Sequence, residues 1–137
     1  MPKTKEDEAA LVQIGTLADR VGLSLRTVRY YEEIGLIEPA ARSQGGFRLY
    51  GFEQEERLRV LKAMKPLGFS LEEMRDLVDL LDEVARTKAG SRKALTLTKR
   101  LANMQEEIDL RRRNLLKQIE ATAQISSALD DALLRIQ

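Results

Sequence analysis

The 137-residue sequence contains no cysteine and no histidine. Without cysteine the chain has no disulfide, no thiolate nucleophile and no thiolate metal ligand, and without histidine it lacks the commonest general base and the commonest metal ligand. Tryptophan is absent too, and aromatic residues make up 4% of the chain against 33% charged residues. This composition disfavours a thick globular core and favours long helices with charged faces. We therefore expect no enzyme active site, no cofactor and no metal site.

Long apolar runs are also missing. The uncharged stretches are far shorter than the roughly 18 residues that cross a bilayer, and Met1–Ala10 lacks the apolar centre of a signal peptide. We therefore expect a cytoplasmic protein with no membrane partner, in which residues 1–10 form a disordered tail. The length suits one small domain with an appendage.

The charges nearly cancel, with 23 Lys and Arg against 22 Asp and Glu, but they are unevenly placed. Residues 20–50 carry five basic and three acidic side chains, whereas residues 70–83 carry one basic and six acidic ones. Such patches allow one face to approach a polyanion, although solvated helix faces explain any single patch about as well.

Two short helices around a tight turn are predicted near the start of the chain. Thr16 is the expected N-cap of the first helix, which Gly22 ends, and Ser24 is the expected N-cap of the second, with Gly35 after its last turn. The turn of about three residues between them has the spacing of a helix-turn-helix. An extended lead-in is expected at Leu11, Val12 and Ile14.

The segment after the second helix predicts a small hairpin and two further helices. Gly45-Gly46, between two short runs, indicates a two-stranded wing. A third helix is expected from Phe52 to about Gly68, weakened near its end by Pro66. A fourth begins at Ser70, which has capping-box spacing to Glu73. Its expected buried stripe is Leu71, Met74, Leu77, Val78 and Leu81.

A long amphipathic helix is predicted over 91–122, after a break at Thr87–Gly90. It would be about 48 Å long, and a rod of that length cannot bury its own apolar stripe, so pairing with an identical chain is favoured over packing within the chain. A separate amphipathic helix is expected over 123–137, folded back on the fourth helix or on the partner. The predicted dimerisation seam is Leu97, Leu101, Met104, Ile108, Leu115 and Ile119.

Several side chains are suited to contact DNA. Arg26 and Arg29 lie three residues apart and share a face of the second helix, where a guanidinium can bind guanine or phosphate. Of the tandem tyrosines, we expect Tyr31 to face inward. In the wing, Arg48 and Tyr50 lie on the same strand face, and with Arg42 they could bind the phosphate backbone.

The segments IGTLADRVGLSLRTVRYYEEIGLIEP, RSQGGFRLY and LKAMKPLGFSLEEMRDLV occur in this order between Ile14 and about Val84. This order resembles the N-terminal half of the MerR family of bacterial transcription regulators. The resemblance implies a mainly α fold in which a winged helix-turn-helix over 11–87 precedes an antiparallel coiled coil. It further implies a homodimer that binds a near-palindromic promoter operator and distorts the promoter spacer for RNA polymerase.

The resemblance adds Lys65 as a phosphate ligand from the third helix. The candidate DNA-binding residues are therefore Ser24, Arg26, Thr27, Arg29, Tyr30, Arg42, Arg48, Tyr50 and Lys65. Family members that sense metals or redox state carry cysteines at or after the long helix, and this sequence has none, so a thiolate sensor is excluded and the effector is left open. Two other hypotheses stay open: a coiled-coil protein-interaction adaptor, and an architectural DNA-binding protein of low specificity.

Overall fold

The computed structural model describes residues 11–137, and the predicted disordered tail at 1–10 lies outside the described residues. The chain is mainly helical with a small antiparallel sheet, which confirms the predicted fold class. It divides into two compact units, of which the first ends at Glu83 and the second begins at Val84. No helix within 11–137 is long and apolar enough to cross a membrane.

Helix α1 (Ile14–Val21) begins three residues earlier than predicted. Its N-cap is Gln13, whose carbonyl accepts a hydrogen bond from the N–H of Leu17 at 3.1 Å. The prediction of Thr16 as N-cap, with Ile14 in an extended lead-in, is wrong. Ile14 packs against the core, and its burial draws the first turn into the helix without a side-chain cap.

Helix α2 (Leu25–Glu33) completes the helix-turn-helix. Ser24 is confirmed as its N-cap, because Ser24 Oγ accepts a hydrogen bond from the N–H of Thr27 at 3.1 Å. Gly22, between the helices, has a φ of 71° and Gly35, after α2, a φ of 79°. Both glycines terminate helices in the left-handed conformation, as predicted.

The wing is a two-stranded antiparallel hairpin, as predicted. Strands β1 (Ala41–Arg42) and β2 (Arg48–Leu49) pair with Arg42 opposite Arg48. Gly46 supplies the positive φ of 83° that the turn requires. Just beyond β2, the backbone of Tyr50 exchanges two hydrogen bonds of 2.8 and 2.7 Å with Val12, so the chain before α1 pairs with the wing.

Helix α3 (Phe52–Met64) passes into a 3-10 turn at Lys65–Leu67 and ends at Gly68, as predicted. Pro66 lies in that turn, where a regular α-helical hydrogen bond is lost. Helix α4 (Leu71–Ala85) follows.

The start of α4 has the predicted capping box. The N–H of Glu73 donates to Ser70 Oγ at 3.1 Å, and the N–H of Ser70 donates to Glu73 Oε1 at 3.0 Å. The predicted buried stripe is partly wrong, since Leu71 is exposed and Leu80 is more deeply buried than Leu81. Adjacent leucines lie about 100° apart on a helix, and the apolar pattern alone does not rank them.

The core of the first unit joins both helices of the helix-turn-helix to α3, the start of α4 and the base of the wing. Burial of these apolar side chains is the main force that holds α2 in place. The buried members are Leu17, Ala18, Val21, Val28, Tyr31, Leu36, Ile37, Tyr50, Leu58, Leu61, Met64, Phe69, Met74 and Val78.

The second unit contains α5 (Arg92–Ile136), which has 45 residues and is about 67 Å long. Ser91 caps it by accepting a hydrogen bond from the N–H of Ala94 at 3.2 Å. The prediction of a separate helix over 123–137 is wrong, because α5 continues through Thr122 to Ile136. No glycine or proline stands in that stretch to interrupt the backbone hydrogen bonds.

Candidate nucleic-acid interface

Helix α2 has one face in the core and the other in solvent. Val28 and Tyr31 are buried, which confirms the prediction that Tyr31 faces inward, and Arg26, Arg29 and Tyr30 are exposed. The helical repeat therefore turns both arginines away from the core. In this position each guanidinium is free of the packing that holds the buried side of the helix.

A cleft of about 320 Å³ lies on one side of α2 and is called here the helix cleft. Lys65, from the turn after α3, lines this cleft together with Arg26, Thr27 and Tyr30. All four were predicted from the sequence to contact DNA. The floor is apolar and the cations stand at an open surface, which suits an anionic backbone better than a small enclosed ligand. The other lining residues are Tyr31, Phe69, Leu71 and Met74.

A second cleft of about 390 Å³ lies between α2 and the wing and is called the wing cleft. Arg29 lines it from α2, and Arg42 and Arg48 line it from the wing. The Arg42 guanidinium donates to the carbonyl of Gly46 at 3.2 Å, which steadies the wing turn. The other lining residues are Gln13, Ile14, Glu32, Glu33, Gly46, Phe47 and Tyr50.

Tyr50 departs from the prediction of an exposed hydroxyl. Its ring is fully buried and its hydroxyl donates a hydrogen bond to the carboxylate of Glu32. The alternation rule placed Tyr50 correctly on the face of β2 that carries Arg48, and the Arg48 guanidinium also donates to Glu32. That face turns towards α2, so the phenol contributes to the core instead of meeting a phosphate.

Glu32 is the residue that reasoning from the sequence missed. Its side chain is 10% exposed and joins α2 to the wing through Arg48 and Tyr50. The sequence shows Glu32 as an acidic residue within an arginine-bearing helix that is expected to approach a polyanion, but this signal does not separate it from Glu33 or identify its partners. Such a charge is unfavourable there unless a partner neutralises it.

Ser24 and Thr27, both predicted to bind DNA, lie at the N-terminal end of α2. Their hydroxyls are hydrogen-bonded to each other at 2.8 Å, and Ser24 also caps the helix. Ser24 is exposed and Thr27 is half-buried at the helix cleft. These two hydrogen bonds therefore stabilise the N-terminal end of α2, where Arg26 is located.

Two cations of α3 fix the end of α1, just ahead of the turn to α2. Lys62 Nζ donates to the carbonyl of Val21 at 2.9 Å, and an Arg59 guanidinium nitrogen donates to the carbonyl of Arg20 at 3.3 Å. Positive groups at a helix C-terminus satisfy its free carbonyls and its dipole. The turn that sets the angle between α1 and α2 is therefore held from outside.

Tyr31, which lines the helix cleft, has a shifted pKa. Burial, with a smaller contribution from Tyr30, raises the pKa of the Tyr31 phenol above its ordinary value of 10.0. Within residues 11–137, no group of three or more acidic side chains is placed to hold a metal ion.

Comparison with known families gives two overlapping matches. The model described as "MerR HTH family regulatory protein" matches residues 12–81, and the model described as "MerR, DNA binding" matches residues 55–132. The first covers both clefts, and the second covers most of α3, all of α4 and most of α5.

Two named relatives illustrate the similarity. The mercuric resistance operon regulatory protein of Bacillus cereus is 41% identical over 70 residues, which are 51% of this chain and 53% of that protein. The HTH-type transcriptional regulator YfmP of Bacillus subtilis strain 168 is 36% identical over 96 residues, 69% of each protein's length. The matched region spans about half to two thirds of the first curated relatives, between 45% and 65% of their lengths.

Among solved structures, the fold is similar to that of HiNmlR, described as a MerR family regulator lacking the sensor domain, bound to promoter DNA. The TM-score is 0.59 at 18% identity, covering 80% of this chain and 79% of that one, so the likeness concerns the fold alone. A transcriptional regulator from Bacillus cereus gives a TM-score of 0.52 at 25% identity, over 88% of this chain and 78% of that one.

Proposed function

The chain belongs to the MerR family of helix-turn-helix regulatory proteins, and from this membership we propose that it is a transcription regulator that binds promoter DNA as a homodimer. Helix α2 enters the major groove, and the wing contacts the adjacent backbone. The dimer holds a near-palindromic operator and deforms the spacer between the promoter elements, where RNA polymerase binds. The role is regulatory rather than catalytic.

The observation that carries this proposal is the shared position of the cations. Arg26 and Lys65 line one cleft beside α2, and Arg29, Arg42 and Arg48 line the cleft on its other side. Arginines on the exposed face of a helix can donate paired hydrogen bonds to guanine. The cations that flank the helix can neutralise phosphates, which releases the counterions of the DNA. The two clefts therefore suit base contacts at the centre and backbone contacts on either side.

The proposal of a homodimer rests on the exposed apolar side chains of α5. Four residues of the predicted seam lie at heptad-like spacing and are 36–63% exposed in the single chain, namely Leu101, Ile108, Leu115 and Ile119. Of the other two, Met104 is half-buried and Leu97 is already buried in the single chain, so Leu97 is not available to a partner. A helix about 67 Å long cannot cover such a stripe itself. A second copy in antiparallel orientation supplies an equal stripe and places the two α2 helices at a fixed separation.

The proposed deformation of the promoter requires this fixed separation. Bending or untwisting a site of 20–30 base pairs costs on the order of 1–6 kcal/mol, which added protein contacts must offset. Two basic clefts per copy, doubled in the homodimer, supply these contacts. The effector, if one acts, is not bound through thiolates of these 137 residues, since they include no cysteine.

Replacement of Arg29 by alanine tests the proposal. We expect Arg29→Ala to weaken binding to duplex from the protein's own promoter by roughly ten-fold or more, because a bidentate contact is worth about 1–3 kcal/mol. Fluorescence anisotropy at moderate salt measures this. Arg86→Ala removes the same charge from an exposed position that lines neither cleft, and it is the matched control.

If Arg29→Ala and Arg86→Ala bind promoter DNA with equal affinity, the proposal that α2 enters the major groove is contradicted. Affinity of the unaltered protein that is no greater for promoter DNA than for random duplex would instead identify an architectural binder. A stable dimer that does not bind DNA at all would identify an interaction adaptor.

A further inference from the structure

Glu32 is one of two acidic side chains, with Glu33, in a cleft that also carries three arginines. It lines the wing cleft together with Arg29, Arg42 and Arg48, where the proposed function brings DNA phosphates close. On charge alone, a carboxylate in this place weakens the attraction for a polyanion. We therefore expect Glu32 to make a favourable interaction within the protein that outweighs its repulsion of DNA phosphates.

The contacts of Glu32 identify that contribution. One carboxylate oxygen accepts from the Arg48 guanidinium and the other from the Tyr50 hydroxyl, so a single side chain of α2 holds two alternate residues of the wing. The side chain is 10% exposed, and such a shielded carboxylate binds charged and neutral donors more strongly than an exposed one.

The backbone of the same strand is fixed independently. The Tyr50 N–H and carbonyl both pair with Val12, and the N–H of Ala40 donates to the carbonyl of Leu49 at 2.8 Å. These hydrogen bonds join the two sides of the wing to each other and to the segment before α1, but they do not reach α2. Among the hydrogen bonds described within 11–137, those of Glu32 with Arg48 and Tyr50 join α2 to the wing.

We propose that Glu32 is the positioning residue that sets the wing relative to α2, so that Arg48 and Arg29 reach one duplex together. This inference rests on the proposed function and deepens it. Arg48 keeps further N–H donors beyond the one that binds Glu32, and its side chain is 56% exposed. It therefore contacts Glu32 and a phosphate at the same time.

The test compares two neighbouring substitutions that remove the same charge. Glu32→Gln keeps the size of the side chain but loses the charged acceptor, and we expect it to lower promoter affinity by roughly ten-fold. Glu33→Gln, from an exposed residue of the same cleft, is the control, and we expect it to raise affinity for promoter and random duplex alike. Anisotropy titrations on both duplexes measure the ratio of specific to non-specific affinity.

A role in positioning predicts a loss of this ratio for Glu32→Gln with little change in binding to random duplex. A gain in affinity for both duplexes, as for Glu33→Gln, would overturn the proposal. If the unaltered protein shows no preference for its promoter, the proposed function fails first, and that failure is distinct from the failure of the role of Glu32.

A double-mutant cycle with Tyr50→Phe separates positioning from a general loss of stability. We expect the effects of Glu32→Gln and Tyr50→Phe on the affinity ratio to be strongly non-additive, because both break the same contact. Thermal unfolding followed by circular dichroism identifies variants that fail to fold. Should Glu32→Gln unfold, Tyr50→Phe alone decides: a lowered ratio supports the proposal, and an unchanged ratio contradicts it.

Discussion

At the residue scale, adjacent side chains of α2 take different tasks because the helix turns them to different faces. Tyr31 lies in the core, and Tyr30 stands 43% exposed beside the helix cleft, with the two ring centroids 6.2 Å apart. Glu32 reaches the wing, and Glu33 stays in solvent. One short segment thus contributes a core residue, two solvent-exposed residues and the contact between α2 and the wing.

Tyr31 gives a prediction for the dependence of stability on pH. Burial raises the pKa of its phenol above 10.0 in the folded state, because the folded protein favours the neutral phenol. The contribution of this group to the free energy of unfolding is therefore fully present below about pH 10. The contribution is lost as the pH rises through the folded-state pKa, because the unfolded chain ionises first. The free energy of unfolding should therefore decrease above about pH 10.

Urea unfolding of Tyr31→Phe measures this effect. We expect the variant to lose less stability than the unaltered protein between about pH 9 and about pH 11. Identical losses in both proteins would show that the Tyr31 phenol is not the group responsible.

At the element scale, capping residues and turn glycines predicted the short helices and the wing. Ser24, Gly35, Gly46 and the Ser70 capping box all act where the sequence placed them. These signals are local, since each side chain or φ angle acts within a few residues. The helix-turn-helix could therefore be derived before any tertiary contact was known.

Features that depend on distant contacts could not be derived in this way. Packing against other elements sets the first residue of α1. It also determines that the side chains of Leu80 and Tyr50 are buried. The contacts of Glu32 join residues 16 and 18 positions apart, so no local pattern indicates them. Apart from the separate helix over 123–137 and the exposed Tyr50 hydroxyl, which the structure contradicts, the predicted domains and DNA contacts stay predictions.

Helix α5 is the element on which the proposed dimer depends. Ile108 lies at the centre of the predicted seam and is 38% exposed. We expect Ile108→Asp to leave the protein monomeric at concentrations where the unaltered protein is dimeric, since two buried carboxylates without partners would face the seam. Light scattering coupled to size exclusion measures the mass.

Asn103→Asp adds the same charge at an exposed position of α5 off the seam, and its mass should match that of the unaltered protein. A dimer that survives Ile108→Asp would show that another surface joins the two copies.

At the scale of the whole molecule, the proposed homodimer combines two copies into one DNA-binding surface. In the proposed homodimer, a second winged unit tethered through α5 would bind the same duplex at a high effective concentration. A palindromic operator follows from this symmetry, because identical surfaces related by a two-fold axis recognise identical half-sites.

Selection of bound duplexes from a library of random sequence tests this central claim most directly. The account predicts that the enriched sequences share a near-palindrome of two half-sites at constant spacing, and that Arg29→Ala removes the enrichment. Enrichment of a single asymmetric site, or of no common sequence, would contradict the binding of one duplex by two arginine-bearing helices.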